Sequence, residues 1–207
     1  MLRVAGENKA RQLGVDPNNK SIDGSQIVYP PDNFKLDTSS LLSFSVYSTH
    51  TVWITCDGKA HAIGDNTQFK ISKSLPEENI KESTIFEIQD SEGKTCTVLS
   101  AICGINYTLY LIQCDVNNKS TQLAYSHSEN KESPIFLNLS GRNPIALYGG
   151  HSIAAAIDSD GAIIIINNAH SPQYLTLPSN KKSVQLACGN KYIFSLSSDG
   201  KVFMSHL

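Results

Sequence analysis

The sequence predicts an all-β chain built as a β-propeller, with about four blades present. Three observations carry this. Short apolar or alternating runs recur along the 207 residues, at 44–47, 52–55, 98–103, 108–112, 145–148, 153–157, 162–166, 184–188, 192–196 and 201–204. They are rich in Val, Ile, Tyr and Phe, as strands are. Turn dipeptides separate them: Asp57-Gly58, Asn117-Asn118, Gly149-Gly150, Asp160-Gly161 and Asp199-Gly200. The strand–turn–strand unit also returns at a spacing of roughly 40–55 residues, the range of propeller blades.

The elements follow in order. Gly6-Glu7-Asn8 with Gln12-Leu13-Gly14 matches Gly64-Asp65-Asn66 with Lys70-Ile71-Ser72. An apolar strand, an Asp-Gly turn and a second strand appear at Val52–Ala60, Ala155–Ile163 and Phe194–Val202. An eroded copy runs from Tyr107 to Tyr125, its turn expanded to residues 115–120. A strand ending in glycine precedes three of these hairpins, at Gly104, Gly149 and Gly189. Leu75 to Glu82, with Pro76 at its start, is the single stretch that suggests a helical turn. The repeat-like segments are 1–14, 41–72, 97–127, 144–168 and 183–207, within one propeller domain spanning 1–207.

The residue types suit the architecture. Glycine after aspartate supplies the positive φ of a tight hairpin, and glycine at a strand end lets backbones approach. A small sheet cannot bury both faces alone, and radial stacking of blades does so.

These residues resemble the repeats of the regulator-of-chromosome-condensation family. The family pattern is a Cys-Gly end, His-Thr, an apolar strand, Asp-Gly, a strand, then Gly-x-Asn leading to Gln-Leu-Gly. The matching positions are His50-Thr51, Asp57-Gly58, Gly64 and Asn66; Gly6, Asn8 and Gln12-Leu13-Gly14; and Cys188-Gly189 with Asp199-Gly200. No copy is complete: Arg11 stands where the first would have glycine, and the second lacks Gln-Leu-Gly. Gly150-His151 lacks the Trp-Asp of another propeller class, and Gly149-Gly150 lacks the aromatic spacing of a third. The resemblance implies rings of seven blades. Both ends of this chain supply the same blade position, so the expectation is a partial, open arc of such a ring.

Composition sets bounds on function. Apolar residues are 40% and charged residues 17%, a globular balance, and the net charge of -2 supplies no field for nucleic acid or membrane. The longest apolar stretch near the C-terminal half, 162–166, is too short to span a bilayer. MLRVAGENKARQLGV lacks an apolar signal region, and the sequons at Asn19, Asn106, Asn118 and Asn138 would then go unused. Cys56, Cys96, Cys103, Cys114 and Cys188 have no C-x-x-C spacing, so buried reduced thiols and a cytoplasmic or nuclear, not secreted, location are expected.

No catalytic, cofactor-binding or metal-ligating residue is assigned. There is no Gly-x-Ser-x-Gly elbow, H-E-x-x-H, EF-hand loop or P-loop. The repeat positions singled out, all structural, are Gly6, Asn8, Gly14, His50, Asp57, Gly58, Gly64, Asn66, Gly104, Gly149, His151, Asp160, Gly161, Gly189, Asp199 and Gly200. His50 and His151 are read as corresponding, hydrogen-bonding positions. The expected function is a protein–protein interaction module without a cofactor, presenting the inserts 15–40, 73–96 and 127–143 to a protein partner. The resemblance implies the alternative of guanine-nucleotide exchange on a Ran-like small GTPase, although no exchange-loop residue of the family maps here. A truncated product without independent activity is the third reading.

Overall fold

The computed structural model describes residues 6–13, 21–22, 39–115, 120–128, 134–166 and 171–207. Gly14, the Asn117-Asn118 turn, nearly all of insert 15–40 and the middle of insert 127–143 lie outside these. Among the described residues, β1 (Gly6–Glu7) and β2 (Ser21–Ile22) form an antiparallel pair. Four antiparallel meanders follow. Blade one is β3 (Leu41–Val46), β4 (His50–Thr55), β5 (Ala60–Asp65) and β6 (Asn79–Phe86). Blade two is β7 (Thr97–Cys103), β8 (Tyr107–Gln113), β9 (Gln122–His127) and β10 (Ile135–Phe136). Blade three is β11 (Pro144–Gly149), β12 (Ala154–Asp158), β13 (Ile163–Ile166) and β14 (Gln173–Leu175). Blade four stops at three strands, β15 (Ser183–Cys188), β16 (Tyr192–Ser197) and β17 (Val202–His206). None of the sheets closes, so the architecture is a partial β-propeller.

The core lies in the seams between blades. Val52, Ile54, Ala60 and Ala62 of blade one pack against Val98, Ala101, Cys103 and Tyr110 of blade two. Leu109, Leu111, Leu123 and Tyr125 meet Ala154, Ala156, Ile164 and Ile166 of blade three. Ala155, Ile157, Ile163 and Ile165 meet Leu186 and Ile193 of blade four. A middle strand therefore buries both of its faces, which is why β12 and β13 read as unbroken apolar runs.

The Asp-Gly hairpins act within and between blades. Gly58, Gly161 and Gly200 have φ near +80°, at 78°, 81° and 81°. Each donates its N–H to the carbonyl three residues back, on Thr55, Asp158 and Ser197. The Gly58 carbonyl accepts from Val98 N of the next blade at 3.1 Å, and Gly161 from Ser183 N at 2.9 Å. A Cβ on Gly58 would stand 2.5 Å from Thr97 Cγ2, so close approach as well as φ demands glycine there.

Three expectations are corrected. No helical turn forms over Leu75–Glu82: Asn79 opens β6, and Asn66 Nδ2 donates to the carbonyls of Leu75 and Pro76, which a helix would need as acceptors. Insert 73–96 is therefore part strand rather than loop throughout. The cysteines are not uniformly buried thiols: Cys96 and Cys114, flanking β7 and β8, are disulfide-bonded, and Cys56 is exposed. Cys103 is buried, and burial pushes its thiol up to about 12.

Candidate functional site

The repeat positions converge on the turns that join blades. Asn66 is fully buried after β5 and organises the loop to β6. Its Oδ1 accepts from Ile71 N at 2.9 Å and Ser72 N at 3.2 Å, while Nδ2 donates to Ser72 O at 2.9 Å. Asn8 repeats the first of these, accepting from Leu13 N at 3.1 Å. The loops then dock alike: Thr108 Oγ1 donates to Lys70 O at 3.0 Å, and Thr51 Oγ1 donates to Gln12 O. Gly64, at φ 105°, lies so close to blade one's own turn that a Cβ would sit 2.5 Å from Thr49 O.

His50 lies in the first seam, fully buried, with Nε2 3.0 Å from Thr108 Oγ1. The single Thr108 hydroxyl proton goes to Lys70 O, so His50 Nε2 carries the proton it donates. Burial, and then the nearby Lys70 ammonium, lower the imidazole pKa to about 3. His50 is thus a neutral hydrogen-bonding group. His151 is not its counterpart. Strand register aligns His50 with Ile153, whereas His151 lies exposed in the β11–β12 turn, its Nδ1 3.1 Å from Tyr47 Oη. The two turns are equally long, from Val46 to Thr51 and from Gly149 to Ala154, and His151 sits two places earlier, at the position of Ser48. The Asp-Gly dipeptides carry the same offset, since His50 precedes Asp57 by seven residues and His151 precedes Asp160 by nine.

The β7–β8 and β11–β12 turns show why glycine ends the first strand. A Cβ on Gly104 would fall 1.9 Å from the Tyr107 ring, and one on Gly149 would fall 2.1 Å from Ile102 Cγ2. Tyr107 Oη reaches across to Gly150 O at 3.0 Å and Ile153 O at 2.7 Å, tying blades two and three. Gly189 has no such neighbour; a Cβ there meets only Tyr192 O, at 3.6 Å. Asp57, Asp160 and Asp199 are turn residues: Asp57 accepts from Thr55 and pairs with Lys59, and Asp199 accepts from Ser197 and Lys181. Asp160 is exposed in its turn. Gly6 lies in β1. Tyr107, Thr108 and Lys70 were not singled out from sequence, although Thr51 and Thr108 occupy the same repeat position.

Two of the predicted inserts meet. Lys73, Ser74, 87–92 and Lys94 from insert 73–96, with Ser72 just before it, face Pro134, Ile135 and Phe136 from insert 127–143 across an open groove of ≈ 1170 Å³. Cys114, Asp115, Ser120 and Gln122 of blade two also line it. Four carboxylates, of Glu87, Asp90, Glu92 and Asp115, line it against two lysines, Lys73 and Lys94. The wall is braced: Asp90 Oδ1 accepts from the backbone N of Glu92 and Lys94, both at 2.9 Å, and Thr95 Oγ1 donates to Glu87 at 2.9 Å. Ile135 and Phe136 give the groove an apolar part alongside its carboxylates. Among the described residues, no three His, Cys, Asp or Glu side chains are grouped to hold a metal ion.

No protein-family model matches the sequence, and no curated protein does. Solved structures do. Human WBSCR16 matches with a TM-score of 0.68 at 20% identity, over 98% of this chain and 55% of that one. Yeast RCC1 (Prp20), solved with Kap60 bound, matches with a TM-score of 0.70 at 18% identity, over 98% and 51%. Prp20p from Saccharomyces cerevisiae, solved in work on its binding to Gsp1p and histones, matches with a TM-score of 0.70 at 16% identity, over 98% and 52%. The fold is that of the regulator-of-chromosome-condensation-type propeller, and this chain spans about half the length of these neighbours.

Proposed function

We propose that this arc is a protein-binding module whose partner enters the groove between inserts 73–96 and 127–143. The observation that carries the reading is the meeting of two inserts, separated in sequence by all of β7–β9, on one acid-rich groove. Hydrogen bonds within 87–95 hold the Glu87 and Asp90 carboxylates in place, so less ordering of this loop is left for binding to impose. Propeller neighbours of this fold bind proteins, Kap60 in one case and Gsp1p and histones in another, which supports the class of activity and leaves the partner open.

Affinity capture with the native chain and with a Glu87→Lys, Asp90→Lys, Glu92→Lys variant tests this. Partners held by native protein should be lost from the variant while its melt stays cooperative, at a lower midpoint because Asp90 and Glu87 also brace the loop. Full retention of every partner by the variant would rule out the groove. The second reading, guanine-nucleotide exchange, rests on the Gsp1p-binding neighbour. It is read by nucleotide release from Ran-like and related GTPases, where no acceleration by this chain alone is expected.

A further inference from the structure

The disulfide between Cys96 and Cys114 stands where the walls of the acidic groove meet. Cys96 closes the hairpin of the first wall: Gln89 pairs with Thr95, and Cys96 N donates to Ile88 O at 2.8 Å. Residues 89–95 of this hairpin are exposed apart from half-buried Asp90, whereas Ile88 and Cys96 at its base are 1% and 2% exposed. Both base residues belong to the core cluster of blades one and two. Cys114 and, from the second wall, Phe136 pack against the same cluster. The two sulfurs differ in access. Cys114 is half-buried and lines the groove, while Cys96 lies behind it and does not. The blade's register does not depend on the crosslink. β7 and β8 pair at six positions from Thr97↔Gln113 to Cys103↔Thr108, and Cys96 and Cys114 fall opposite each other one place beyond.

We propose that this disulfide is a thiol-responsive latch on the groove wall, opened through the groove at Cys114. The thiolate of a low-molecular-weight thiol attacks Cys114 Sγ, forming a mixed disulfide as the bond to Cys96 breaks. The bonding pair leaves on Cys96 Sγ, which takes a proton from water. A second thiolate attacks the small-molecule sulfur of the mixed disulfide and releases Cys114 as a thiol after protonation. Two thiols are thereby oxidised to one disulfide, and the protein cystine is reduced to two thiols. The hairpin keeps its packed base at Ile88 but loses its covalent tie to the end of β8. Its amides then exchange more readily while the blades stay folded. Entry through the groove also gives the latch a charge preference. Glu87, Asp90, Glu92 and Asp115 outnumber Lys73 and Lys94 there, so a thiol carrying an ammonium is attracted and one carrying a sulfonate is repelled. The latch sets how the wall is held whether or not a protein partner enters, so it does not rest on the partner-binding reading.

Alkylation and peptide mass spectrometry on the full chain read the chemistry. Unfolded without reductant, the chain should label at Cys56, Cys103 and Cys188 only, and labelling of all five cysteines overturns the proposal. At equal thiolate concentration and low salt, cysteamine should reduce the disulfide faster than mercaptoethanol, and mercaptoethanesulfonate slowest, with about tenfold between the extremes. The spread should collapse at about 1 M salt, where charges are screened beyond about 3 Å. Equal rates at low salt, or the reverse order, overturn entry through the groove. The adduct trapped early should sit on Cys114, and one on Cys96 overturns the order of attack. Hydrogen exchange then reads the wall. The hydrogen-bonded amides of Asp90, Gly93 and Cys96 should exchange several-fold faster after reduction, while β12 and β16 keep their protection. Unchanged exchange in the hairpin overturns the latch, and protection lost throughout the chain overturns it as a local device. A Cys96→Ser, Cys114→Ser variant should show the reduced pattern with no thiol added, and retention of the oxidised pattern overturns the role of the bond.

Discussion

Gly64 and Asn66 show how much of a seam rests on single side chains. Gly64 needs both a positive φ and empty space at its Cβ, so Gly64→Ala forces the β3–β4 turn apart. Asn66→Ala leaves the loop carbonyls and amides of 71–76 without their partner. Loss of its buried hydrogen bonds should lower stability by about 2–4 kcal/mol in denaturant titration, taking ~1 kcal/mol for each bond. His50 gives a pH signature. Its folded pKa of about 3 lies below the 6.5 of an unperturbed imidazole, so between these values the unfolded chain binds the extra proton. Stability should then fall as the pH is lowered through that window, by up to about 1.4 kcal/mol per pH unit from this group. His61, lowered by burial, acts in the same direction. The carboxyls of Asp57 and Asp199, hydrogen-bonded to Lys59 and Lys181 and held down to about 2, lose their contribution only below 3.8. At pH 5 the His50→Gln variant should therefore show a shallower dependence of melting on pH than the native chain.

At the scale of the element, the hairpin glycines divide by what lies beyond them. Gly58 and Gly200 both have positive φ, but a Cβ on Gly58 strikes Thr97 of the next blade whereas one on Gly200 meets nothing within 4 Å. Gly58→Ala should lower the melting temperature clearly more than Gly200→Ala, which pays only the left-handed backbone penalty of about 1–2 kcal/mol. The cysteines divide in the same way. Alkylation of the native chain should label Cys56 first and reach Cys103 only on unfolding, with Cys96 and Cys114 labelled only after reduction. The hairpins were legible in sequence because Asp-Gly is a local signal. The fate of Leu75–Glu82 was not, because the group that denies it a helix, Asn66, acts through a side chain nine or more residues away.

At the scale of the molecule, each blade packs only on its neighbours, so stability is a chain of seams. Leu109→Ala removes a fully buried side chain from the seam of blades two and three and should lower stability by about 2–5 kcal/mol. Hydrogen exchange should show protection lost first in β7–β14, the strands on either side of that seam, with blade four following as its support weakens. The acidic groove belongs to this scale too, since neither insert forms it alone.

The sequence by itself determined the all-β class, the repeat spacing and the hairpin positions, because those depend on local turn chemistry and on a strand period of two. Only the tertiary structure decided which side chains meet across a seam. His50 with Thr108, Cys96 with Cys114 and insert 73–96 with 134–136 are contacts between strands or blades, and their spacing along the chain follows no local rule. The arc illustrates both. Its repeated apolar strands were written in the chain, but that Phe194, Val202 and Met204 of blade four stand exposed became visible only once the blades were stacked.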